Sequence, residues 1–298
     1  EIIENDIYKL IEDINDIYFK KIDMIALRNG VEKDSKIRIK ASLIYIMNEL
    51  SDTIGHSYYF EEELLAYLPR VLGVVISRDL FDICVEELIT DLKIIHKEDR
   101  YYLRDMYEAE TFIVKRFRSL NSNKELIDKK LDSKVQELES FFGIRYNTCQ
   151  LEAIKKSYTK DFLIITGGPG TGKTTIMKGI VELYRQMNKL SYDKLDQKIA
   201  LLAPTGRAAK RMSETTFMRA STIHRFLKWS RETGKFQINE YNKSKVEFVI
   251  IDEASMIDIF LFNSLLKALK LNVKLLLIGD ANQLPSIGPG DILHDLLH

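Results

Sequence analysis

The stretch Thr166-Gly167-Gly168-Pro169-Gly170-Thr171-Gly172-Lys173-Thr174-Thr175 follows a short apolar run, Phe162-Leu163-Ile164-Ile165, and leads into a helical pattern from Ile176. It reads as strand, glycine-rich loop and helix, and residues 167–174 meet the spacing G-x-x-x-x-G-K-T. Glycines let consecutive backbone N–H groups curl around a polyphosphate, because no Cβ blocks the approach. The helix N-terminus adds partial positive charge. Gly168, Pro169, Gly170, Thr171, Gly172, Lys173, Thr174 and Thr175 are therefore the candidate nucleotide-binding residues. Lys173 is placed to reach the β- and γ-phosphates, and Thr174 to ligate Mg²⁺.

Two further apolar runs end in side chains suited to the same chemistry. Val249-Ile250-Ile251 leads into Asp252-Glu253-Ala254-Ser255. Asp252 can hold Mg²⁺ opposite Thr174, and Glu253 can orient and deprotonate an attacking water. Leu277-Ile278-Gly279 leads into Asp280-Ala281-Asn282-Gln283-Leu284-Pro285. The Gln283 amide is placed to feel the γ-phosphate or the water. Lys173, Glu253 and Gln283 form the candidate catalytic set, with ATP and Mg²⁺ as the implied cofactors.

The apolar runs at 162–166, 199–203, 246–251 and 273–279 alternate with helical segments from about residue 141 onward. Continuous apolar runs of this kind suit buried parallel strands, and phosphate loops belong at their carboxyl ends. The expected fold is α/β with a parallel sheet, preceded by a mostly helical region.

The formal net charge is zero, yet residues 1–147 hold 22 Lys/Arg against 29 Asp/Glu, and residues 148–298 hold 22 against 15. Within 205–231 there are seven Lys/Arg and one acidic residue, Glu214. A charge run is usually a solvated face. Its position between nucleotide motifs favours contact with nucleic acid. Thr205 can cap the helix after the 199–203 run, with Arg207 in its first turn. Thr222, with His224 and Arg225 behind it, repeats the pattern. Thr205, Arg207, Thr222, His224 and Arg225 are the candidate DNA-binding residues. Phe226 and Trp229 read as core or platform.

No apolar run is long enough to span a membrane, and no signal peptide opens the chain. Cys84 and Cys149 suit a reducing compartment and have no metal-like spacing. A cytoplasmic location is expected. The chain begins at Glu1 and stops at His298 just after the third motif, so both ends are expected to be cut from a longer protein.

Before the α/β region, residues 1–55 read as short helices, with Ile7, Leu10, Ile11 and Ile14 at helical spacing. Asn15-Asp16-Ile17-Tyr18 could link a helix-hairpin-helix, although it lacks the glycines that would grip DNA phosphates. Residues 56–120 read as a winged-helix-like module and a trailing helix. A strand is expected at 56–60, a helix over 78–93, and a hairpin wing around Glu98-Asp99. Asp79, Asp82, Glu86, Glu87 and Asp91 would repel phosphates from that helix, which favours a structural or partner-binding role. Asn121-Ser122-Asn123 reads as a linker, and 121–142 as a polar bridging segment. Thr233-Gly234-Lys235 is the turn of an expected protruding hairpin over 228–245.

Residues 142–298 resemble the first motor domain of the RecD-like helicases of superfamily 1B, a RecA-like P-loop NTPase fold. The phosphate loop, 203–210, 222–226, 252–255 and 279–290 are similar to successive helicase motifs in order. Gln150, in Tyr146-Asn147-Thr148-Cys149-Gln150, matches the family's adenine-reading glutamine, and the motor domain is expected over 143–298. The N-terminal half resembles, more weakly, the extension of RecD-like helicases that act outside the RecBCD complex; Gly55-His56 and the segment 101–120 carry that likeness. Asp16 and Tyr18 stand where the family has hairpin glycines. The resemblance implies ATP-dependent 5′-to-3′ DNA unwinding, a role in DNA repair and recombination, and single-stranded DNA and duplex junctions as partners, with the 228–245 hairpin as the pin. The family's second motor domain has no counterpart here, so the chain alone is expected to be nearly inactive. The alternatives are a RecD subunit of a nuclease complex, a relaxase-type helicase, or a nucleotide-gated scaffold that does not unwind.

Overall fold

The computed structural model describes residues 7–13, 18–120, 129–283, 286 and 288–298. The chain divides into two compact units. The expected hairpin link at 15–17 and the linker at 121–123 lie outside the described residues.

The first unit runs to Ala109 and includes a short return ending at Gly290. It contains α1 (Lys9–Asp13), α2 (Phe19–Arg28), α3 (Lys36–Ile54), α4 (Glu61–Leu72), α5 (Arg78–Thr90), β1 (Ile94–Lys97), β2 (Arg100–Leu103) and the start of α6 (Arg104–Leu120). Ile39, Leu43 and Met47 of α3 share one buried core with Leu64 and Leu68 of α4 and Phe81 and Val85 of α5. The expected boundary at residue 55 therefore does not divide the packing. β1 and β2 pair antiparallel across the Glu98-Asp99 turn, from Ile94 opposite Leu103 to Lys97 opposite Arg100. The strand expected at 56–60 reduces to a single bridge between Tyr59 and Tyr101. The helix expected over 78–93 stops at Thr90, and Leu92 beyond it takes the left-handed conformation at φ 56°.

A buried ion pair explains why charged residues are tolerated in this unit. Arg38 donates to both oxygens of Asp23, at 2.7 and 2.9 Å, and Tyr8 donates its hydroxyl to Asp23 at 2.6 Å. Burial alone would raise the Asp23 pKa, but the hydrogen bonds from Arg38 and Tyr8 bring it below the usual carboxylate range.

The second unit holds the rest of α6, then α7 (Lys129–Phe142), α8 (Thr148–Thr159), β3 (Phe162–Thr166), α9 (Lys173–Met187), α10 (Tyr192–Lys198), β4 (Ile199–Ala203), α11 (Gly206–Thr216), β5 (Ala220–Thr222) and α12 (Ile223–Leu227). It continues through β6 (Trp229–Ser230), β7 (Lys235–Phe236), β8 (Phe248–Ile251), a 3-10 turn (Ala254–Met256), α13 (Ile259–Ala268), β9 (Lys274–Gly279) and α14 (Ile292–Asp295). The sheet order is β3-β9-β8-β4-β5, and every pairing is parallel. All four β8 residues and all five β4 residues are buried, as continuous apolar runs require.

Two expectations need correction here. The polar segment ending at residue 142 is no bridge over its described part, because Leu131, Val135 and Leu138 of α7 are buried in the same core as Ile176, Ile180 and Leu183 of α9. The hairpin expected over 228–245 is shorter: Trp229–Phe236 and Ser230–Lys235 pair as strands, and the Gln237 and Ile238 N–H groups still donate back to the Lys228 and Leu227 carbonyls. It closes early because the Asn239 side chain accepts from the N–H groups of Tyr241 and Asn242, which bends the chain into a second turn.

One half-buried cation fixes the far end of α8. Lys274 on β9 donates to the carbonyls of Ser157, Tyr158 and Lys160, which α8 leaves unpaired at its C-terminus. Burial pushes its pKa down to about 8. The same helix carries Gln150 at its other end.

Candidate nucleotide and nucleic-acid site

The strand register places all the motifs on one side of the sheet. Thr166 lies opposite Gly279, Ile251 opposite Leu277 and Leu202, and Ala203 opposite Thr222. Each motif loop leaves the carboxyl end of its strand. The phosphate loop leaves β3, the Gln283 turn leaves β9, and Asp252 and Glu253 leave β8. These three strands are adjacent. Thr205 follows β4 and Thr222 ends β5, at the other end of the strand order from β3. With neighbouring strands about 4.8 Å apart, β3 and β4 are separated by roughly 14 Å.

The phosphate loop needs its glycines for two separate reasons. Gly170 and Gly172 take φ +78° and +85°, a region L side chains rarely adopt. At Gly172 a Cβ would also come within 2.5 Å of the Gln150 amide nitrogen. Lys173 opens α9, and its Nζ donates to the carbonyls of Gly167 and of Gly168, the latter at 2.9 Å. The Thr171 hydroxyl donates to Gly168 at 2.9 Å. The loop thus holds its cation and hydroxyl together at the helix N-terminus, and the first N–H groups of α9 have no partner within the helix.

The charge of this cation is felt at Asp252, which is half-buried. Burial raises its pKa, while the Glu253 N–H, Arg211 and Lys173 pull it back down. Its Oδ1 accepts from the Glu253 N–H at 3.0 Å, which orients the carboxylate. Glu253 takes φ 54°, ψ 40°, an unfavourable conformation for a residue with a side chain. It is half-buried. Arg211, part of the basic run, also acts on Asp252 through its charge. Its spacing on α11 carried a signal, since Ala208 and Met212 are the helix's buried face.

Thr174 and Asp252 supply hard oxygen donors, which suits Mg²⁺: that ion keeps several waters and takes only one or two protein carboxylates beside substrate phosphates. Among the described residues no cluster of three or more His, Cys, Asp or Glu could hold a metal by itself.

Gln283 is exposed, and its N–H donates to the Asp280 carbonyl at 3.1 Å. Asp280 is buried and its side chain accepts from the Asn282 N–H at 3.0 Å, shaping the turn. Leu284 and Pro285 lie outside the described residues.

Gln150 is engaged in a way the sequence reading did not foresee. Its Oε1 accepts from the Asn147 N–H at 3.1 Å, while Asn147 Oδ1 accepts from the Gln150 N–H at 2.9 Å, a reciprocal cap on α8. Its Nε2 donates to the Thr171 carbonyl at 3.3 Å. The amide braces the phosphate loop. Gln150→Met should therefore weaken binding of ATP and of inorganic tripolyphosphate alike, by about five-fold, since one net hydrogen bond contributes about 1 kcal/mol. Isothermal titration calorimetry checks this, and tripolyphosphate affinity that stays at the wild-type value would reduce the amide to a reader of the base.

Thr205 caps α11 by accepting from the Ala208 N–H at 3.2 Å, and Thr222 caps α12 by accepting from the Arg225 N–H at 3.2 Å. Arg207, His224 and Arg225 are exposed. The His224 ring lies 5.8 Å from Phe236 and 6.5 Å from Trp229, centroid to centroid.

Residues 150–289 match a AAA domain model, and residues 1–58 match the model of the ATP-dependent RecD2 DNA helicase HHH domain. The RecBCD enzyme subunit RecD of Buchnera aphidicola is 32% identical over 69% of this chain and 36% of that protein. The ATP-dependent RecD2 DNA helicase of Deinococcus radiodurans is 27% identical over 97% of this chain and 40% of that protein. The chain thus spans well under half the length of these relatives. A crystal structure of the Pif1 helicase from Candida albicans aligns with 48% of this chain and 34% of its own at 26% identity, with a TM-score of 0.38.

Proposed function

The chain belongs to the RecD-like DNA helicases, and from that premise we propose that it forms the N-terminal region and first motor domain of an ATP-dependent helicase acting on single-stranded DNA. One observation carries the reading: the phosphate loop leaves β3 and the Asp252–Glu253 pair leaves β8, two strands of one parallel sheet with β9 between them, and the Lys173 charge acts on Asp252. Match of the RecD2 N-terminal model to residues 1–58 favours the RecD2 type over a nuclease-complex subunit.

In this reading Lys173 holds the β- and γ-phosphates against the loop N–H groups. Thr174 and Asp252 hold Mg²⁺, which offsets charge on the phosphate oxygens when bound. Glu253 takes a proton from the attacking water, and Gln283 senses the γ-phosphate. Gln150 both braces the loop and meets the adenine. Thr205, Arg207, Thr222, His224 and Arg225 line the track for the DNA strand, on the β4–β5 side away from the phosphate loop. Unwinding runs 5′ to 3′, in the cytoplasm, at junctions of single-stranded and duplex DNA.

Arg207→Ala tests the track. Each phosphate contact adds to the salt dependence of affinity. The variant should bind single-stranded DNA more weakly, with a salt slope flatter by about 0.7 for the lost contact, and bind ATP as wild type does. A salt slope that does not change would make Arg207 a structural residue.

A further inference from the structure

We propose that His224, Trp229 and Phe236 form a platform on which an unstacked base of single-stranded nucleic acid sits, flanked by Arg225, Lys228 and Lys235 on its phosphates. This rests on the helicase reading and adds a base-contacting subsite to a track otherwise made of phosphate contacts.

The aromatic cluster is placed by the short hairpin. Trp229 and Phe236 are register partners across β6 and β7, with centroids 4.8 Å apart and planes at 64°. His224 approaches both rings from α12. Lys228 takes φ 57°, turning the chain from α12 directly into β6 and bringing the imidazole beside the hairpin root. Neither Trp229 nor Phe236 belongs to a buried core cluster of the described residues. Trp229 remains 46% exposed, an unusual cost for the largest apolar side chain in the chain.

The charge around the rings selects the occupant. Between Ile223 and Gln237 the cations are Arg225, Lys228, Arg231 and Lys235, against the single acid Glu232. All four cations are exposed, and none takes part in a described ion pair. An aromatic face bordered by unpaired cations offers what a single strand presents, a flat base between anionic phosphates. A duplex keeps its base faces stacked and would use only the cations. An apolar protein partner would not account for the surplus of positive charge.

A cross-strand aromatic pair also stabilises a two-rung hairpin by itself, so the test must separate stacking from hairpin stability. Trp229 is the only tryptophan in the chain, and its emission reports on this site alone. The protein is titrated with fluorescein-labelled oligo(dT) and with an abasic phosphodiester oligomer of equal length. Anisotropy reads binding, and tryptophan emission reads stacking. Trp229 emission should fall in step with anisotropy for oligo(dT), and stay constant while the abasic oligomer binds. Trp229→Leu, which keeps an apolar contact on Phe236, should weaken oligo(dT) binding about ten-fold and leave abasic binding unchanged. Trp229→Phe should restore most of the loss. Saturating oligo(dT) binding with unaltered emission overturns the platform while leaving the helicase reading intact. No anisotropy change with either oligomer overturns both.

Discussion

Lys173→Ala should abolish measurable nucleotide binding by the 298-residue chain. Lys173 is the first residue of α9, so its charge adds to the positive end of the helix. Its Nζ already sits on the loop, donating to the carbonyls of Gly167 and Gly168. A polyphosphate that enters this loop exchanges those neutral acceptors for charged ones. Each charge-assisted hydrogen bond contributes about 1.5–3 kcal/mol. Losing two of them lowers affinity by roughly 10²-fold or more, enough to take a micromolar site beyond practical titration. A second effect has the same sign. The Lys173 charge helps to keep the half-buried Asp252 ionised, so without it the Asp252 pKa rises further and the Mg²⁺ site weakens. Calorimetric titration with ATP and Mg²⁺ checks this, and an affinity within three-fold of wild type would remove Lys173 from the site.

Glu253→Gln should do the opposite: spare binding and stop turnover in the full-length protein. The amide has the shape of the carboxylate but cannot take a proton from water. General-base catalysis contributes about 10²–10⁴-fold, and the loss should fall in that range with the nucleotide affinity little changed. The backbone at this position gives an independent check. Glu253 sits at φ 54°, where glycine is at ease and alanine is not. Glu253→Gly should therefore be as inactive as Glu253→Gln, yet melt at a higher temperature than Glu253→Ala. Turnover by Glu253→Gln within a few-fold of wild type would assign the base elsewhere.

The parts of the molecule legible in its sequence are those whose physics is local. A buried parallel strand must be continuously apolar, so β3, β4, β8 and β9 stand out, each within two residues of its expected start. A loop that turns through positive φ must use glycine, so Gly170 and Gly172 mark the phosphate site. Through-space features were not legible. The Gln150 amide reaches Thr171 from α8, whose far end is bonded by Lys274, more than a hundred residues away. The Arg211 charge bears on Asp252 from the exposed side of α11, whose Ala208, Ala209 and Met212 are turned inward. α7 looked polar, since its apolar residues Leu131, Val135 and Leu138 form a single narrow stripe, yet that stripe is buried. The hairpin stops short of residue 245 because the Asn239 side chain accepts from the Tyr241 and Asn242 N–H groups and diverts the backbone into a turn.

The most direct measurement is the rate of ATP hydrolysis by the full-length protein with and without single-stranded DNA. A motor whose nucleotide site and strand track lie on one side of the same sheet should turn over at least ten times faster when the track is filled, and Glu253→Gln should remove both the basal and the stimulated rate. Hydrolysis that proceeds at one rate whether or not bound DNA is present would contradict the account and leave a nucleotide-gated scaffold in its place.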